Sequence, residues 1–569
     1  MFRLLLSFTP IFFKPVERDI MTLMQKVYWF IATLGNGTAI FWLTSEHSIA
    51  PIILLLATLA YTCVGAYDLF FSAHSLNRLY PVAAYIRYFL ESFRKEIHQY
   101  FIASDTDELP FNREQRTLVY ERAKNIRDTI AFGTQRDLMA EDYISLWHSM
   151  APTHVKPEFQ RITIGGKDCK QPYSAAYLNV SAMSFGALSS QAIEALNLGA
   201  SKGGFYHNTG EGSVSQYHLK HGGDIVWQIG SGLFGCRTPE GSFDPERFST
   251  MAKTDAIKMI EIKLSQGAKP GHGGVLPKAK ITDEIAAIRV ISKDRDCVSP
   301  AAHPECQTPT QLLSFVKTLR DLSDGKPVGF KLCLGNPAEF LSICKAMLET
   351  QIYPDFITVD GAEGGTGAAP VEFSNRLGIT CLDAVYLVNS MLIGCGLRDD
   401  IKIIAAGKTA SSFDLLSKIA VGADTVNAAR TMMMALGCIQ SQACNTNECP
   451  TGVATQDPVR GKAINVASKG QRVANFQQNT IKAFFELVGS MGLNNPKQLT
   501  PNMLKRRAAN GLTISWGSLA PLLETNCLVN ESARNHLDPQ WQNWWECASS
   551  EHFYIADKAA LHYPSAIAH

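Results

Sequence analysis

Short apolar runs that end in glycine-rich loops recur along this chain from about residue 162 onward, and each loop is followed by a helical stretch. This alternation of strands and helices continues over about 350 residues and predicts an α/β fold with a parallel sheet. A (β/α)8 TIM-type barrel fits both the number of units and the length. The clearest runs are residues 179–183, 328–332, 356–359, 401–405 and 425–427. In such a barrel the chemistry lies at the carboxyl ends of the strands, where these loops fall.

Charge and cysteine usage exclude several classes of protein. The 569 residues include 53 basic and 52 acidic side chains. Because there is no positive excess, we do not expect nucleic acid as a partner. The 14 cysteines are scattered rather than densely paired, which favours a protein with reduced thiols over a secreted disulfide scaffold.

Two uncharged apolar runs lie near the N-terminus, at residues 27–43 and 49–67. As a helix, the second run would extend roughly 28 Å, about the thickness of the hydrocarbon core of a bilayer. The first run is shorter and contains Gly35-Asn36-Gly37, and only residues 44–48 separate the two. The pattern predicts a hairpin of two transmembrane helices, at about residues 27–43 and 49–67.

Basic residues flank this hairpin on both sides, so we expect both of its ends, and the catalytic part of the chain, to lie in the cytoplasm. The flanking residues are Arg3, Lys14, Arg18 and Lys26 before the hairpin and Arg78, Arg87, Arg94 and Lys95 after it. The alternatives are a cleaved signal peptide and a buried core hairpin. A signal peptide should end in a small-residue cleavage site, and none follows residues 4–13. Met21 is a candidate second start site.

The chain is predicted to have four parts. These are an N-terminal segment with the two transmembrane helices (1–72), a helical connector (73–150), the barrel with its cysteine loop (151–495) and a C-terminal extension (496–569). Apolar and charged positions alternate at helical spacing in residues 85–100 and 113–127 of the connector, with a polar turn at residues 104–110.

Cys438, Cys444 and Cys449 form a C-x5-C-x4-C pattern, and Pro450 follows the third cysteine. Thiolates favour iron–sulfur clusters, zinc or Cu(I), and a compact loop that closes on Cys-Pro resembles bacterial-type cluster loops. Structural zinc usually takes four ligands with paired, closely spaced cysteines, which this run lacks. The pattern therefore favours an iron–sulfur site, with buried or incidental cysteines as the alternative.

Two late loops are candidates for binding a phosphate group. Gly407 and Lys408 follow one apolar run, and Ala429 and Arg430 follow the next and open a helix. Barrels often bind phosphate on the loops after their last two strands, with help from a helix N-terminus. Ordinary strand-to-helix turns, which also favour glycine, are the alternative.

Residues 262–278 combine a strand-like start with cationic residues and a glycine–proline loop, I-K-L-S-Q-G-A-K-P-G-H-G-G-V-L-P-K, which suits an anionic substrate under a mobile loop. Together with D-G-A-E-G-G-T-G-A-A-P at residues 360–370 and the cysteine loop, this segment resembles the FMN-binding synthase domain of glutamate synthase. The resemblance covers about residues 150–490. It is greater to shorter members of that family, in which the domain follows an N-terminal membrane segment, and the connector also looks like theirs.

The resemblance implies an FMN site made from several loops. A cation near the pyrimidine end of the flavin, matched here by Lys331, would stabilise negative charge on the reduced ring. The implied FMN-binding residues are Met183, Ser184 and Gly186 in the first-strand loop, Glu211 in a G-E-G segment, Gln228 and Ser231 in a Q-x-x-S-G segment, Lys331, and Gly407, Lys408, Ala429 and Arg430 at the phosphate.

The resemblance also implies contacts to 2-oxoglutarate from Gln266, Lys269 and Arg289, which with Lys331 form the catalytic set. Lysine and arginine suit a dicarboxylate, because arginine can hold one carboxylate by two hydrogen bonds. The three cysteines match the ligands of a 3Fe–4S cluster, in which the missing fourth thiolate leaves one corner without iron.

This sequence departs from the family pattern near the substrate. His272 stands where the family commonly has Glu, and Gly212 is followed by Ser213 instead of another glycine. Residues 299–305 are S-P-A-A-H-P-E in place of a run richer in proline. We also find no glutaminase domain ahead of the barrel and no nucleotide-binding domain for NADPH.

From this resemblance we expect an oxidoreductase that reductively aminates 2-oxoglutarate, through 2-iminoglutarate, to glutamate. The expected partners are 2-oxoglutarate, ammonia or an amine, a membrane, and a separate electron donor, either ferredoxin-like or a reductase subunit. Assembly as a homo-oligomer is left open. The alternatives are a related flavin enzyme acting on another oxo acid or amine, and a membrane electron-transfer subunit without glutamate synthase activity.

Overall fold

The computed structural model describes residues 21–126, 128–156, 160–519 and 521–553. The basic residues predicted to precede the hairpin at positions 3, 14 and 18 lie outside this range, as does the end of the C-terminal extension. The chain forms two compact units, Met1–Ser104 and Asp105–His569. The boundary between them falls inside the segment 73–150 that the sequence predicts as one connector.

The described residues form 21 α-helices and 15 strands. The helices are α1 (Leu23–Ser45), α2 (Ile49–Phe70), α3 (Ser75–Leu79), α4 (Ala83–Ser92), α5 (Arg94–Ile97), α6 (Arg113–Lys124), α7 (Ser190–Gly203), α8 (Gln216–Leu219), α9 (Pro245–Ala252), α10 (Asp283–Arg289), α11 (Pro309–Leu322), α12 (Pro337–Thr350), α13 (Val371–Arg376), α14 (Cys381–Gly394), α15 (Ser412–Ala420), α16 (Arg430–Leu436), α17 (Pro458–Gly461), α18 (Val466–Ser490), α19 (Trp516–Leu519), α20 (Glu531–Arg534) and α21 (Pro539–Cys547). The strands are β1 (Ile144–Leu146), β2 (Ile162–Ile164), β3 (Tyr173–Ala175), β4 (Leu178–Val180), β5 (His207–Asn208), β6 (Ile225–Ile229), β7 (Ile257–Lys263), β8 (Val275–Leu276), β9 (Cys297–Val298), β10 (Val328–Leu332), β11 (Phe356–Asp360), β12 (Lys402–Ala406), β13 (Thr425–Ala428), β14 (Leu504–Arg507) and β15 (Thr513–Ser515).

In the first unit, the two apolar runs form the helices α1 and α2, which pair through polar side chains. Tyr28 Oη donates to Thr62 O at 2.6 Å, and Asn36 Nδ2 donates to Thr62 Oγ1 at 2.8 Å. Thr58 Oγ1 donates to Asn36 Oδ1 at 3.0 Å, so the amide of Asn36 is bonded from both ends. Such hydrogen bonds hold apolar helices together where lipid tails supply no driving force.

Among the described helices, only Ile49–Phe70 is both long and apolar enough to cross a membrane, with a mean hydropathy of 2.1 over its most apolar stretch. At ~1.5 Å per residue this helix is about 33 Å long. The first predicted span, residues 27–43, is helical as expected, but α1 does not meet that criterion. Its crossing of a membrane stays a prediction.

The predicted helical connector is helical only as far as Lys124, with interruptions that the sequence did not predict; its described residues from 128 to 150 contain no helix and form the strand β1. Residues 85–100 are divided at Phe93 into α4 and α5, and a π-helix follows at His98–Ile102. The second predicted helix, residues 113–127, ends earlier. Asn125 closes α6 in the left-handed region, at φ 56°, which asparagine adopts more readily than most residues.

In the second unit, eight parallel strands close into a barrel in the order β10-β11-β12-β13-β4-β5-β6-β7, which confirms the predicted TIM-type fold. The last and first strands meet where Val426 pairs with Leu178 and Asn427 pairs with Asn179. The strands β6, β10, β11 and β13 are buried along their whole length. A polar side chain on these strands is therefore buried, either inside the barrel or against the surrounding helices.

Helices around the barrel start where the sequence caps them. Asp244, Thr308 and Asn336 each accept a backbone N–H of the following first turn, and each precedes a proline at the first helical position. The cap satisfies a free N–H group and proline is preorganised for the first turn, so these helix starts are encoded locally. Each such start follows a strand or its loop, which returns the chain to the outside of the barrel.

The predicted C-terminal extension pairs with the predicted connector. β14 runs antiparallel to β1, with Leu504 opposite Leu146, and β15 adds a third strand. Residues from both ends of the second unit therefore share one small sheet beside the barrel.

Candidate active site at the carboxyl ends of the barrel strands

Lys331 and Asp360 lie at the ends of the neighbouring strands β10 and β11, with Lys331 Nζ 3.1 Å from Asp360 Oδ2. Burial alone would lower the pKa of Lys331, but the charges of Asp360 and Glu261 outweigh it and raise that pKa. The buried ammonium is therefore held in its charged form. This is the position that the sequence predicted for a cation beside a flavin.

Glu261 is the centre of a buried polar network that sequence reasoning missed. Its carboxylate accepts hydrogen bonds from Asn208 Nδ2 at 2.8 Å, Gln228 Nε2 at 2.6 Å and Thr358 Oγ1 at 2.5 Å. These four side chains come from four barrel strands. The only signal in the sequence was a carboxylate within the apolar run of β7, I-K-M-I-E-I-K. The side-chain amide of Gln228, a residue predicted to bind the flavin, donates to Glu261 within this network.

Glu211 forms an ion pair with Lys263, and two further cations act on its charge. Lys263 Nζ lies 2.9 Å from Glu211 Oε1. Burial tends to raise the pKa of Glu211, but Lys263, Lys269 and Arg289 together lower it. The sequence assigned Glu211 to the flavin, whereas the structure groups it with Lys269 and Arg289, the residues predicted to bind the oxo acid. Lys263 was not singled out.

The predicted oxo-acid residues come from one loop and one helix. Lys269 is 3% exposed and donates from Nζ to Ala368 O at 3.1 Å. Gln266 accepts from Lys263 Nζ at 2.5 Å. Arg289, at the end of α10, is 4% exposed and donates to Phe185 O at 2.9 Å. Burial lowers the pKa of both Lys269 and Arg289.

Asp360 links this loop to Lys331, because its Oδ2 also accepts the N–H of Gly267 at 3.0 Å. A Cβ atom at Gly267 would lie 1.6 Å from Gly361 O, so only glycine allows the two loops to approach this closely. The flavin-side cation and the oxo-acid loop therefore share one carboxylate.

The first-strand loop and the G-E-G segment lie against each other. A Cβ atom at Gly210 would lie 2.9 Å from Ser184 N, and one at Gly212 would lie 2.7 Å from Ser184 Cβ. Met183 N–H donates to Asn208 O at 3.4 Å. Only glycine at these positions therefore allows the G-E-G segment to approach the first-strand loop this closely. Ser231, predicted in the same site, donates instead to Pro300 O at 2.6 Å.

The two predicted phosphate loops follow β12 and β13, which are adjacent in the barrel. Gly407 and Lys408 lie after the first strand, and Ala429 is the residue that precedes α16. Arg430 donates to Glu363 O. Burial lowers the pKa of both Lys408 and Arg430, so two partly desolvated cations face this end of the site.

The cysteine loop follows α16. Burial, together with the charges of Cys444 and Cys449, raises the pKa of Cys438 to about 11. Burial would also raise the pKa of Cys449, but hydrogen bonds from the N–H groups of Ala454, Thr451 and Val453 lower it. Within the described ranges, no three His, Cys, Asp or Glu side chains are gathered so that they could hold a metal ion. The three predicted ligand cysteines therefore lie in one loop, but they are not gathered closely enough to hold a metal ion.

Lys280 and Gln456 fasten the cysteine loop to the first-strand loop. Lys280 Nζ donates to Ala187 O at 2.7 Å and to Cys444 O at 3.2 Å. Gln456 Nε2 donates to Gly186 O at 3.1 Å. The first and last loops of the barrel rim are thus tied together, and neither residue was foreseen from the sequence.

The family model described as a conserved region in glutamate synthase matches residues 114–494. A glutamate synthase large subunit-like protein of Bacillus subtilis is 36% identical over 78% of this chain and 92% of its own length. An archaeal glutamate synthase [NADPH] of Archaeoglobus fulgidus is 34% identical over 57% of this chain. The chain spans 60% of the length of that enzyme.

A solved structure of a mutant flavocytochrome b2 with benzoylformate aligns with 79% of this chain and 91% of its own, at 10% identity and a TM-score of 0.40. That likeness is too low to bear on the chemistry. The family match instead covers the whole barrel, its rim and its cysteine loop. The chain belongs to the glutamate synthase family and is a glutamate synthase-like oxidoreductase.

Proposed function

We propose that this chain reductively aminates 2-oxoglutarate to glutamate, using FMN, a 3Fe–4S cluster and electrons from a separate donor. 2-Oxoglutarate and ammonia would lose water to form 2-iminoglutarate, which takes up two electrons and two protons to become glutamate. The names of the archaeal relatives support the reaction class.

The observation that carries the proposal is the charge around Glu211. Lys263 forms an ion pair with Glu211, and the charges of Lys269 and Arg289 also lower the pKa of that carboxylate. The cations that act on Glu211 outnumber it, which suits a substrate that carries carboxylates. Because Lys269 and Arg289 are desolvated, their interaction with a substrate carboxylate is stronger than it would be in water.

The loops fit FMN. Gly210 and Gly212 allow the G-E-G segment to pack directly against the first-strand loop, and Lys408 and Arg430 supply positive charge for the FMN phosphate. When bound, FMN supplies the two-electron chemistry that reduces the imine. Lys331, kept charged by Asp360, would hold negative charge at the pyrimidine end of the ring.

The cysteine loop fits an iron–sulfur cluster by its donor set: three thiols whose charges influence one another, with backbone N–H groups directed at Cys449. Cys438, Cys444 and Cys449 would hold the cluster. The loop lies against the first-strand loop through Lys280, so electrons from a partner would enter beside the flavin.

We further propose that α2 anchors the chain in a membrane, with the barrel in the cytoplasm. The helix is long enough and apolar enough, and a large share of its apolar side chains is exposed. The experiment is fractionation of cells: the chain should stay with membranes after alkaline carbonate extraction. Recovery in the soluble fraction would contradict the anchor and leave the enzymatic proposal intact.

A second candidate, favoured by His272, is reductive amination of a different oxo acid. This residue stands where the family commonly has Glu, its Nδ1 lies 2.9 Å from Gly273 O, and its ring centroid lies 5.4 Å from that of Phe373. A neutral or cationic imidazole in place of a carboxylate changes what the loop tolerates next to Lys269.

One experiment separates these functions. Photoreduced enzyme is mixed anaerobically with ammonium and a series of oxo acids, while flavin absorbance and amino-acid formation are followed. We expect reoxidation and glutamate formation with 2-oxoglutarate. Faster turnover of another oxo acid would establish the second candidate, and oxidation only by a protein acceptor would show an electron-transfer subunit.

The cluster has its own test. Purified protein should contain about three iron atoms per chain, and Cys444→Ser should lose that iron. Full retention of iron by the variant would remove Cys444 from the ligand set.

A further inference from the structure

Phe111 lies close to both cations of the predicted phosphate site. Its ring centroid is 5.0 Å from the guanidinium of Arg430 and 5.5 Å from Lys408 Nζ. Only 1% of Phe111 is exposed. It comes from the connector, far earlier in the chain than either cation, and nothing in the sequence marked it as part of a site.

The ring of Phe111 is close enough to interact with both cations. Lys408 and Arg430 repel each other, and this repulsion contributes to the lowered pKa of Lys408. Both cations lie within about 6 Å of the ring, the distance over which the negative face of an aromatic attracts a cation. The ring therefore compensates part of the repulsion and limits where the two side chains can point.

The backbone of Phe111 is held by the cysteine loop. Phe111 N–H donates to Gln440 Oε1 at 3.1 Å, and Gln440 Nε2 donates back to Phe111 O at 2.9 Å. Gln440 is the second residue after Cys438, and it adopts a left-handed backbone at φ 59°. A buried glutamine in a conformation that is costly for a side chain of its kind holds this one backbone unit by two hydrogen bonds.

Residues 108–111, which we call the strap, are fixed at their other end as well. Glu108 Oε2 lies 2.6 Å from Arg116 NH2, and both side chains are at most 10% exposed. Gln440 Nε2 also donates to Glu108 Oε1 at 3.1 Å. Tyr120, in the same helix as Arg116, donates to Cys438 O at 2.8 Å. The strap thus contacts the phosphate-site cations and the cysteine loop at once.

We propose that Phe111 is a positioning residue for the phosphate end of the flavin site, and that the strap couples occupation of that end to the order of the cysteine loop. This inference rests on the proposed binding of FMN. A phosphate held by Lys408 and Arg430 favours the arrangement in which both cations lie close to Phe111, and that arrangement keeps Gln440 bonded to the strap. By linkage, ordering of the cysteine loop favours FMN to the same degree.

The first test is titration of flavin-free protein with FMN, followed by quenching of flavin fluorescence. Phe111→Leu keeps an apolar side chain but removes the aromatic face, and we expect the dissociation constant to rise about tenfold. Phe132→Leu, at an exposed phenylalanine of the same connector, is the matched control and should bind like the wild type. Equal affinity of Phe111→Leu and wild type would overturn the positioning role.

The second test needs no variant and covers the case in which Phe111→Leu does not fold. Hydrogen exchange of wild-type protein is compared with and without FMN. We expect FMN to slow exchange in residues 108–111 and 438–449 together. FMN that binds without protecting residues 108–111 would overturn the coupling. Wild-type protein that binds no FMN would instead overturn the proposed cofactor, so the two failures are distinguishable.

Discussion

Lys331 and Asp360 form a buried ion pair across two adjacent parallel strands, with Lys331 Nζ 3.1 Å from Asp360 Oδ2. The same oxygen accepts the N–H of Gly267, in the loop predicted to bind the oxo acid. One carboxylate therefore contacts both the cation on the proposed flavin side and the loop on the proposed substrate side. A change at Asp360 should disturb the two together.

Asp360→Asn should shift the alkaline limb of the pH–activity profile downward. In the wild type, Asp360 and Glu261 outweigh burial and hold the pKa of Lys331 above its usual value. Without the charge of Asp360, burial has more influence, the pKa of Lys331 falls, and the ammonium loses its proton at a lower pH. The measurement is the rate of reoxidation of reduced enzyme between pH 7 and pH 11. The exposed Asp255, changed to Asn, is the control, and an unmoved limb in Asp360→Asn would contradict the role of the pair.

Lys269→Ala should raise the KM for 2-oxoglutarate, the proposed substrate, about 30-fold, because the proposed contact of this substrate with a buried, charged donor is lost. Since the interaction is made with bound substrate as well as in the transition state, kcat should change much less. Steady-state kinetics check both values. Lys278→Ala, at an exposed lysine near the same loop, should leave KM unaltered. A fall in kcat at constant KM would assign Lys269 to the chemical step instead.

Glu261→Ala should lower the free energy of unfolding by about 3 kcal/mol, because it leaves the buried donors of Asn208, Gln228 and Thr358 without their acceptor. Urea denaturation followed by tryptophan fluorescence measures the change. Glu486→Ala, at an exposed helical position, is the control and should stay within about 0.5 kcal/mol of the wild type. A variant as stable as this control would show that the network adds nothing to the stability of the barrel.

Acidification should destabilise the second unit below about pH 6.5. Burial lowers the pKa of His218 to about 3 and that of His303 to about 4. An unfolded histidine titrates near 6.5, so between that value and about pH 4 the unfolded chain binds protons that the folded chain does not. As the pH decreases through this range, the free energy of unfolding therefore falls by up to about 1.4 kcal/mol per pH unit for each such histidine.

His218→Asn should reduce the slope of stability against pH by about one proton, because it removes one histidine that only the unfolded chain protonates. The variant should fold, since its amide oxygen can replace the ring nitrogen that accepts the N–H of Ser215. Unfolding free energies from urea titrations at pH 5, 6 and 7 give the slope. His148→Asn, at an exposed site, should keep the slope of the wild type. The same slope in His218→Asn would mean that His218 is protonated in the folded state.

The barrel was predictable because its strands are local patterns. Runs such as 328–332 and 356–359 are apolar, end in glycine or Asp-Gly, and coincide with β10 and β11. Their parallel order follows from the helices between them. The helix breaks in the connector were not predictable in the same way, because residues 85–100 contain no glycine or proline that would mark the end of α4 at Ser92.

The sequence singled out candidate site residues mainly where they stand in glycine-rich loops or at strand ends. Lys269, Lys331 and Arg430 lie in such loops or at strand ends, whereas Glu261 lies inside a strand and Phe111 lies in the connector. Their roles arise from neighbours far away in the sequence. The grouping of Glu211 with the oxo-acid residues depends on Lys263, whose alternation with apolar neighbours in β7 is typical of an ordinary strand.

The closure of the barrel also bears on when this protein becomes competent during synthesis. Gln456 donates to the carbonyl of Gly186, which precedes it by 270 residues. The carbonyl of Gly186 therefore cannot receive this hydrogen bond until most of the chain has left the ribosome. The apolar helices α1 and α2 emerge long before that point. Insertion of the proposed membrane anchor is thus separated in time from the loading of the proposed cofactors, which needs the loops at both ends of the barrel.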